Sequence, residues 1–427
     1  MESIERNKLF WGSCLALLVT ALSFGIRAGI MNKLGTDFHL CNKELGVITA
    51  AAFWGFPLAI IFGGFIVDTI GMKKLLVMAF VLHIAGILMT VFAGGYWTLF
   101  ISTLLIGIAN GTVEAACNPL VASLYPTNKT TKLNHFHLWF PGGIMLGTLM
   151  VLLFNSIAIS WQVQVAMMLI PTLIYGYLFS TLKFPVTERV SSGYSTGDMY
   201  KAVVSPLFIF MFICMFGTAV TELFTGQWID VLLKNVTDNP ILILTLTTGV
   251  MVIGRGFAEP VVHKFSPQGV LLISAIVATL GLYLLSTLTG NAIFLAAFVF
   301  GVGVCYFWPT MIGFVAENIP QSGALGLNLI GGAGMFAVSI YSIFMGKHYD
   351  DLIVNHLPAD AVAATYLSAP LDSPMGAAVQ QAKSMAGPEV LRLTLVIPVI
   401  LVVLFTLLLI YMRSRKKANV PPVLQAT

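Results

Sequence analysis

Charge is what this chain of 427 residues has least of. Only 18 Asp and Glu and 22 Lys and Arg are present, 9% of all positions. Soluble domains carry about 25% charged residues, and a chain this poor in charge has too little polar surface to face water on all sides. The net charge of +4 comes from bases scattered over connecting segments, which excludes a nucleic-acid-binding face. Cysteine is scarce too. Cys14, Cys41, Cys117, Cys214 and Cys305 are odd in number, four of them fall inside apolar runs, and no CxxC pair occurs, so neither a disulfide scaffold nor a thiolate metal site is expected. Walker loops, GxSxG and HExxH motifs and paired His/Cys spacing are missing, which leaves no basis for reading an enzyme or a cofactor.

What the chain does have is hydrophobicity: 58% apolar residues and a mean hydropathy of +0.91. Crossing a bilayer takes about 20 mostly apolar residues. Twelve stretches qualify, at 9–34, 45–67, 73–95, 98–124, 132–155, 161–183, 204–230, 239–262, 269–288, 291–315, 322–345 and 389–412. The first is too long for the core of a cleaved leader and reads as a span. The expected fold is an all-α membrane protein of twelve transmembrane helices.

Lys and Arg set the orientation. Fourteen fall on the side of the N-terminus and six on the other (Lys33, Lys43, Lys234, Lys347, Lys383 and Arg392), so both termini are expected in the cytoplasm and the polar segment 346–388 outside. Its Ala-rich pieces suggest short helices, either a partial lid or an inert insertion. An "NKT" at 128–130 matches a glycosylation acceptor, but falls on the inner side. An offset of 194 residues pairs Gly107 with Gly301, Pro126 with Pro320 and Leu133-Asn134 with Leu327-Asn328. That register suggests two pseudo-symmetric six-helix halves, 1–183 and 204–427, joined by a cytoplasmic linker at 184–203.

Between the second and third spans the chain reads "GGFIVDTIGMKKLL". Gly64, Asp68, Gly71, Lys73 and Lys74 resemble the signature loop of the major facilitator superfamily, with Thr69 where a base is usual. The resemblance implies alternating access, with Asp68, Gly71, Lys73 and Lys74 in the conformational lock. "EAACNP" (114–119), "LNHFHLWFPGG" (133–143) and "ELFTGQW" (222–228) are similar to the branch of sugar transporters that contains L-fucose:proton symporters. That likeness implies proton coupling at Glu114 and sugar binding at His137. The first span departs from the branch: "SFGIRAGIM" carries Arg27 and no acid.

Taken on their own terms, Asn110, Glu114 and Asn118 recur at i, i+4 and i+8 and share one helical stripe. Membrane helices tolerate such a stripe where it lines a transport path or joins a buried polar network. Asn134 and His137, one turn apart, are read the same way, with Trp139 and Phe140 as nearby aromatics. Arg27 and Glu222 fall at matching depths in spans 1 and 7. They could close an outer gate, Arg27 could hold an anionic cargo, or the pair could be static. Gln227, Trp228, Tyr306 and Trp308 offer the aromatic and hydrogen-bonding groups a sugar needs. Arg255, with Glu259 one turn on, reads as an inner-face charge pair.

The expected function is a secondary active transporter of a sugar or sugar-like solute, coupled to protons through Glu114. The alternative is an organic-anion (for example sugar-acid) symporter or exchanger that uses Arg27. The expected partners are the small polar solute, protons and the lipid of a bacterial inner membrane, with the chain a monomer. A receptor is disfavoured for want of a sizeable soluble domain.

Overall fold

In lipid every backbone N–H and C=O must find a partner within the protein, which a helix achieves within one segment. In the computed structural model, among the described residues (3–40, 42–233, 240–359, 361–370 and 372–418), the regular structure is helical and no strand occurs. Cys41 and Lys234 lie outside those residues, as does the side chain of Lys43.

The chain begins with α1 (Ser3–Asp37), α2 (Asn42–Ile70), α3 (Met72–Val91) and α4 (Tyr96–Leu124). The fifth span is two helices, α5 (Lys129–His137) and α6 (Trp139–Ser156), and the sixth is α7 (Trp161–Ala166) with α8 (Leu169–Thr181). The linker folds as α9 (Glu188–Ser191) and α10 (Thr196–Val203). The seventh span runs through α11 (Pro206–Ala219), a π-helical turn at Val220–Phe224 and α12 (Thr225–Leu233). Then come α13 (Pro240–Gly256), α14 (Ala258–Leu285), α15 (Ala292–Val304), α16 (Phe307–Asn318), a 3₁₀ turn at Pro320–Ser322 and α17 (Gly323–Asn355). The chain ends in α18 (Ala363–Leu367), α19 (Pro374–Thr394) and α20 (Val396–Ala418).

Eleven of the described helical segments are long and apolar enough to cross a membrane, and Leu242–Gly256 is a shorter twelfth. The twelve-helix fold expected from the sequence is therefore present. Inside α14, Ser266 leaves helical geometry (φ 61°) just ahead of Pro267, which divides the eighth span from the ninth. The polar segment 346–388 is more helical than its sequence suggests: α17 runs on to Asn355, and α19 continues through Leu395 into α20.

Two compact units result. The first comprises Met1–Met215, Arg255–Ala258 and Trp308–Phe336. The second comprises Phe216–Gly254, Glu259–Phe307 and Ala337–Thr427. Within the first, α4 is the central helix, packed on α1, α2 and α3. Lipid tails are as apolar as leucine, so small residues rather than hydrophobicity draw such helices together. Gly107 and Gly111 allow it here: a Cβ on Gly111 would lie 2.2 Å from the Phe56 carbonyl oxygen of α2. In the second unit, α12 packs against α19, and the Phe224 ring meets Tyr341 edge-on at 4.8 Å.

Candidate functional site

The polar stripe of α4 is buried along its whole length, but its three residues do not share one environment. Asn110 belongs to a closed neutral network. The Tyr175 hydroxyl of α8 donates to His83 Nδ1 of α3 (2.7 Å), and His83 Nε2–H donates to Asn110 Oδ1 (2.8 Å). Asn110 Nδ2 in turn donates to Ser23 Oγ of α1 (3.0 Å), whose hydroxyl donates to the Thr20 carbonyl (2.6 Å). Every side-chain nitrogen and oxygen of the network has a partner if His83 is the neutral Nε2–H tautomer.

One turn along, Glu114 is 2% exposed. Asn118 Nδ2 donates to its Oε2 at 2.6 Å, and His137 Nε2–H donates to Asn118 Oδ1 at 3.0 Å. The other ring nitrogen, His137 Nδ1, lies 3.8 Å from Glu114 Oε1. That gap exceeds a hydrogen bond, so carboxylate and imidazole face each other with room for a single proton on either. Asn134 donates to the Thr130 carbonyl (2.9 Å) and to Thr310 Oγ1 of α16 (3.3 Å). Among the described residues its Oδ1 is buried without a hydrogen-bond partner.

Arg255 completes this cluster, and here the sequence reading is corrected. Arg255 is 1% exposed rather than part of an inner-face pair, while Glu259 is exposed. Its Nη1 donates to the His137 carbonyl at 2.8 Å, and its charge acts on both Glu114 and His137. A buried arginine needs anions or carbonyl oxygens around it, and the sequence signal for that was its place inside an apolar run.

Arg27 stands elsewhere in the first unit. Its guanidinium lies 5.3 Å over the Phe24 ring, and its Nη2 is buried with no hydrogen-bond partner among the described residues. Phe24 sits 5.4 Å from Phe53 and 6.0 Å from Phe140 between ring centroids, which makes a half-buried aromatic wall beside the cation. Trp139 instead packs edge-on against Trp11. Trp308 is buried in the same unit.

In the second unit Glu222 is buried within the π-helical turn, Gln227 is exposed, and the Tyr306 hydroxyl donates to the Gly254 carbonyl at 2.6 Å. The Trp228 ring lies against Gly346.

The signature loop is tied to the linker. Asp68 accepts hydrogen bonds from Thr187 Oγ1 and Arg189 Nε, and Lys73 donates to the Leu182 carbonyl at 3.0 Å. Lys74 is exposed. Gly71 takes φ 86°, a left-handed conformation that favours glycine, at the start of α3. Nearby, Lys129 Nζ pairs with Glu188 at 2.6 Å and donates to the Ala316 carbonyl at 2.9 Å, while Glu317 accepts from the Thr130 N–H. Sequence reasoning missed Lys129, Glu188, Arg189 and Glu317, which carry charge but no motif.

Several known proteins are similar. A D-xylose transporter of Levilactobacillus brevis is 24% identical over 172 residues, which is 40% of this chain and 38% of that protein. A probable anion transporter, chloroplastic, of Arabidopsis thaliana is 26% identical over 150 residues, 35% of this chain and 28% of that protein. The chain thus aligns with well under half the length of these curated relatives. The crystal structure of the E. coli fucose:proton symporter superposes with a TM-score of 0.68 at 14% identity, covering 92% of this chain and 98% of that one, a likeness of fold. A family model described as Major Facilitator Superfamily matches residues 13–345, most of the sequence, and the chain belongs to that superfamily of multi-pass membrane transporters.

Proposed function

We propose that the protein is a secondary active transporter that moves a sugar or sugar-like solute by alternating access, driven by protons carried on Glu114. The observation behind this is the arrangement at Glu114: a buried carboxylate held by Asn118, with His137 Nδ1 3.8 Å away and Arg255 acting on both. A buried carboxylate with one proton site shared with an imidazole is suited to take up and release a proton as its surroundings open and close. The sugar class is supported by the xylose transporter among the relatives and the fucose:proton symporter among the neighbours. Asn118, Asn134 and His137 are the proposed solute-facing groups of the first unit, with Glu222, Gln227 and Tyr306 those of the second. The halves 1–183 and 204–427, cytoplasmic termini, a bacterial inner membrane and a monomeric state belong to the same proposal.

The test is uptake of a labelled sugar panel into proteoliposomes with and without an inward proton gradient. The expected result is accumulation under the gradient that Glu114→Gln abolishes, with gradient-free counterflow retained. Loss of counterflow together with accumulation would assign Glu114 to solute binding alone.

A second reading rests on Arg27. A guanidinium with a buried nitrogen that has no hydrogen-bond partner among the described residues, beside an aromatic wall, suits a cargo bearing a carboxylate and an apolar face, such as a sugar acid. The probable anion transporter among the relatives accords with it. On this reading hexuronates compete for uptake, neutral hexoses do not, and Arg27→Gln removes the competition.

A further inference from the structure

Pro141 stands four residues after His137. A helix interior would place the N–H of residue 141 on the carbonyl of residue 137, and proline has none. The bonds on either side persist: Leu138 N–H donates to Asn134 O at 3.0 Å and Gly142 N–H to Leu138 O at 3.1 Å. The gap is therefore confined to the His137 carbonyl, and the buried Arg255 fills it from α13 at 2.8 Å. The same construction occurs a short way off. Pro119 deprives the Ala115 carbonyl of its donor, and Asn328 Nδ2 of α17 supplies one at 2.9 Å.

The two caps differ in charge. A neutral amide is enough to satisfy a freed carbonyl, as Asn328 demonstrates at Ala115. At His137 the cap is a cation, and the groups acting on Glu114 explain what a cation adds. The titratable and charged ones are Cys117 on its own helix, His137 on α5 and Arg255. Among the described residues Arg255 alone supplies a permanent positive charge there. An ionised Glu114 attracts the guanidinium and favours its place beside the His137 carbonyl; a protonated Glu114 does not.

We propose that Arg255 is a positioning residue that couples the charge on Glu114 to the helix break at Pro141: with Glu114 ionised, Arg255 holds the His137 carbonyl, and with Glu114 neutral the hold slackens and the break becomes free to bend. This deepens the reading of Glu114 as the proton carrier and rests on it. No bond is made or broken beyond the proton on Glu114 and the hydrogen bond at His137.

The experiment is hydrogen–deuterium exchange of the full chain in lipid nanodiscs, followed by mass spectrometry of peptides covering 138–143, without solute or gradient. Losing a hydrogen bond to a charged donor should speed exchange there by about tenfold or more. Glu114→Gln and Arg255→Gln are each expected to do so, and the double variant is expected to exchange no faster than either alone. Pro141→Ala, which returns an N–H to the His137 carbonyl, should restore slow exchange to Arg255→Gln but not its proton-driven accumulation. Arg255→Lys, which keeps the charge but replaces the planar fork with a single ammonium, guards against a folding defect and should fall between wild type and Arg255→Gln. Effects of the two single variants that multiply, or an Arg255→Gln segment that exchanges like wild type, overturn the proposal. Because exchange is read without transport, a protein whose uptake ignores protons would sink the coupling reading while leaving the exchange result to be judged separately.

Discussion

Four residues separate Asn110 from Glu114, and the two polar clusters they anchor on α4 are built on opposite terms. Around Asn110 every group is neutral, each side-chain nitrogen and oxygen has a partner, and the network ties α1, α3, α4 and α8 together. Around Glu114 stand groups that can take or give a proton and a buried guanidinium, one contact is stretched to 3.8 Å, and a nearby amide oxygen goes unmet among the described residues. A satisfied network in low dielectric is strong and rigid, whereas a partly satisfied one stays responsive to a proton or a ligand. The same helix thus carries a staple and, one turn later, a group fit to change state. Asn110, for which the sequence leaves open a transport path or a buried polar network, occupies the staple, and the proposal for solute contact rests on the other cluster.

The comparison breaks most readily at its functional end. Glu114→Gln is close to isosteric and keeps an acceptor for Asn118, so thermal unfolding in detergent should move little. Proton-driven accumulation, by contrast, should fall by about a hundredfold or more, the scale on which a positioned proton-transfer side chain contributes. A large drop in melting temperature with transport intact would reverse the roles assigned to the two clusters.

His83→Ala should show the opposite pattern. It leaves the Tyr175 hydroxyl and Asn110 Oδ1 buried without their partner, at about 1–3 kcal/mol for each group. Thermal or denaturant unfolding should register a loss of about 2–4 kcal/mol, while uptake per folded molecule stays near wild type. Replacing His83 and Asn110 together by apolar residues should cost less than the separate losses added, because fewer orphaned groups remain.

These two outcomes bear on what the sequence could disclose. The spans, their number and the stripe at 110, 114 and 118 follow from apolar run length and from a helical period of 3.6. Which neighbour each residue meets does not, since Asn110 and Glu114 share a face and differ only in the helices that pass it. The 194-residue offset pairs Asn134 with Asn328 and Ala116 with Thr310. Asn134 reaches Thr310, and Asn328 reaches Ala115, a single position from the equivalent place. Arg255 was misplaced because a hydropathy profile gives depth coarsely and cannot show that Pro141 leaves a carbonyl for it on another helix. The helices within 346–388 run longer than the short ones expected, because an Ala-rich polar segment has helix propensity without an apolar stripe to mark its extent.

A third charged cluster sharpens the comparison, since its charges are matched. Asp68 is held by Arg189 and Thr187 of the linker, and both charged side chains are largely buried. Arg189→Ala should therefore cost about 1.5–3 kcal/mol, the range for a hydrogen bond to a charged group. Proteolysis of the linker at 184–203 should speed up in step, and Asp68→Asn should do the same more weakly because Asn retains an acceptor. Were the linker as resistant in Arg189→Ala as in wild type, the matched pair would be incidental to how it is held.

The smallest effect belongs to the neutral cap. Asn328→Ala removes the donor to the Ala115 carbonyl, one ordinary hydrogen bond beside Pro119, and should cost about 1 kcal/mol. Pro119→Ala supplies an N–H to the same carbonyl, so adding it to Asn328→Ala should return most of the lost stability. Neither change should alter the response of transport to a proton gradient, since no charge stands at this joint. The value of the pair lies in that indifference. If Asn328→Ala shifted the pH profile of uptake as Arg255→Gln is expected to, a freed carbonyl alone would explain both joints, and the cation at His137 would lose its special part.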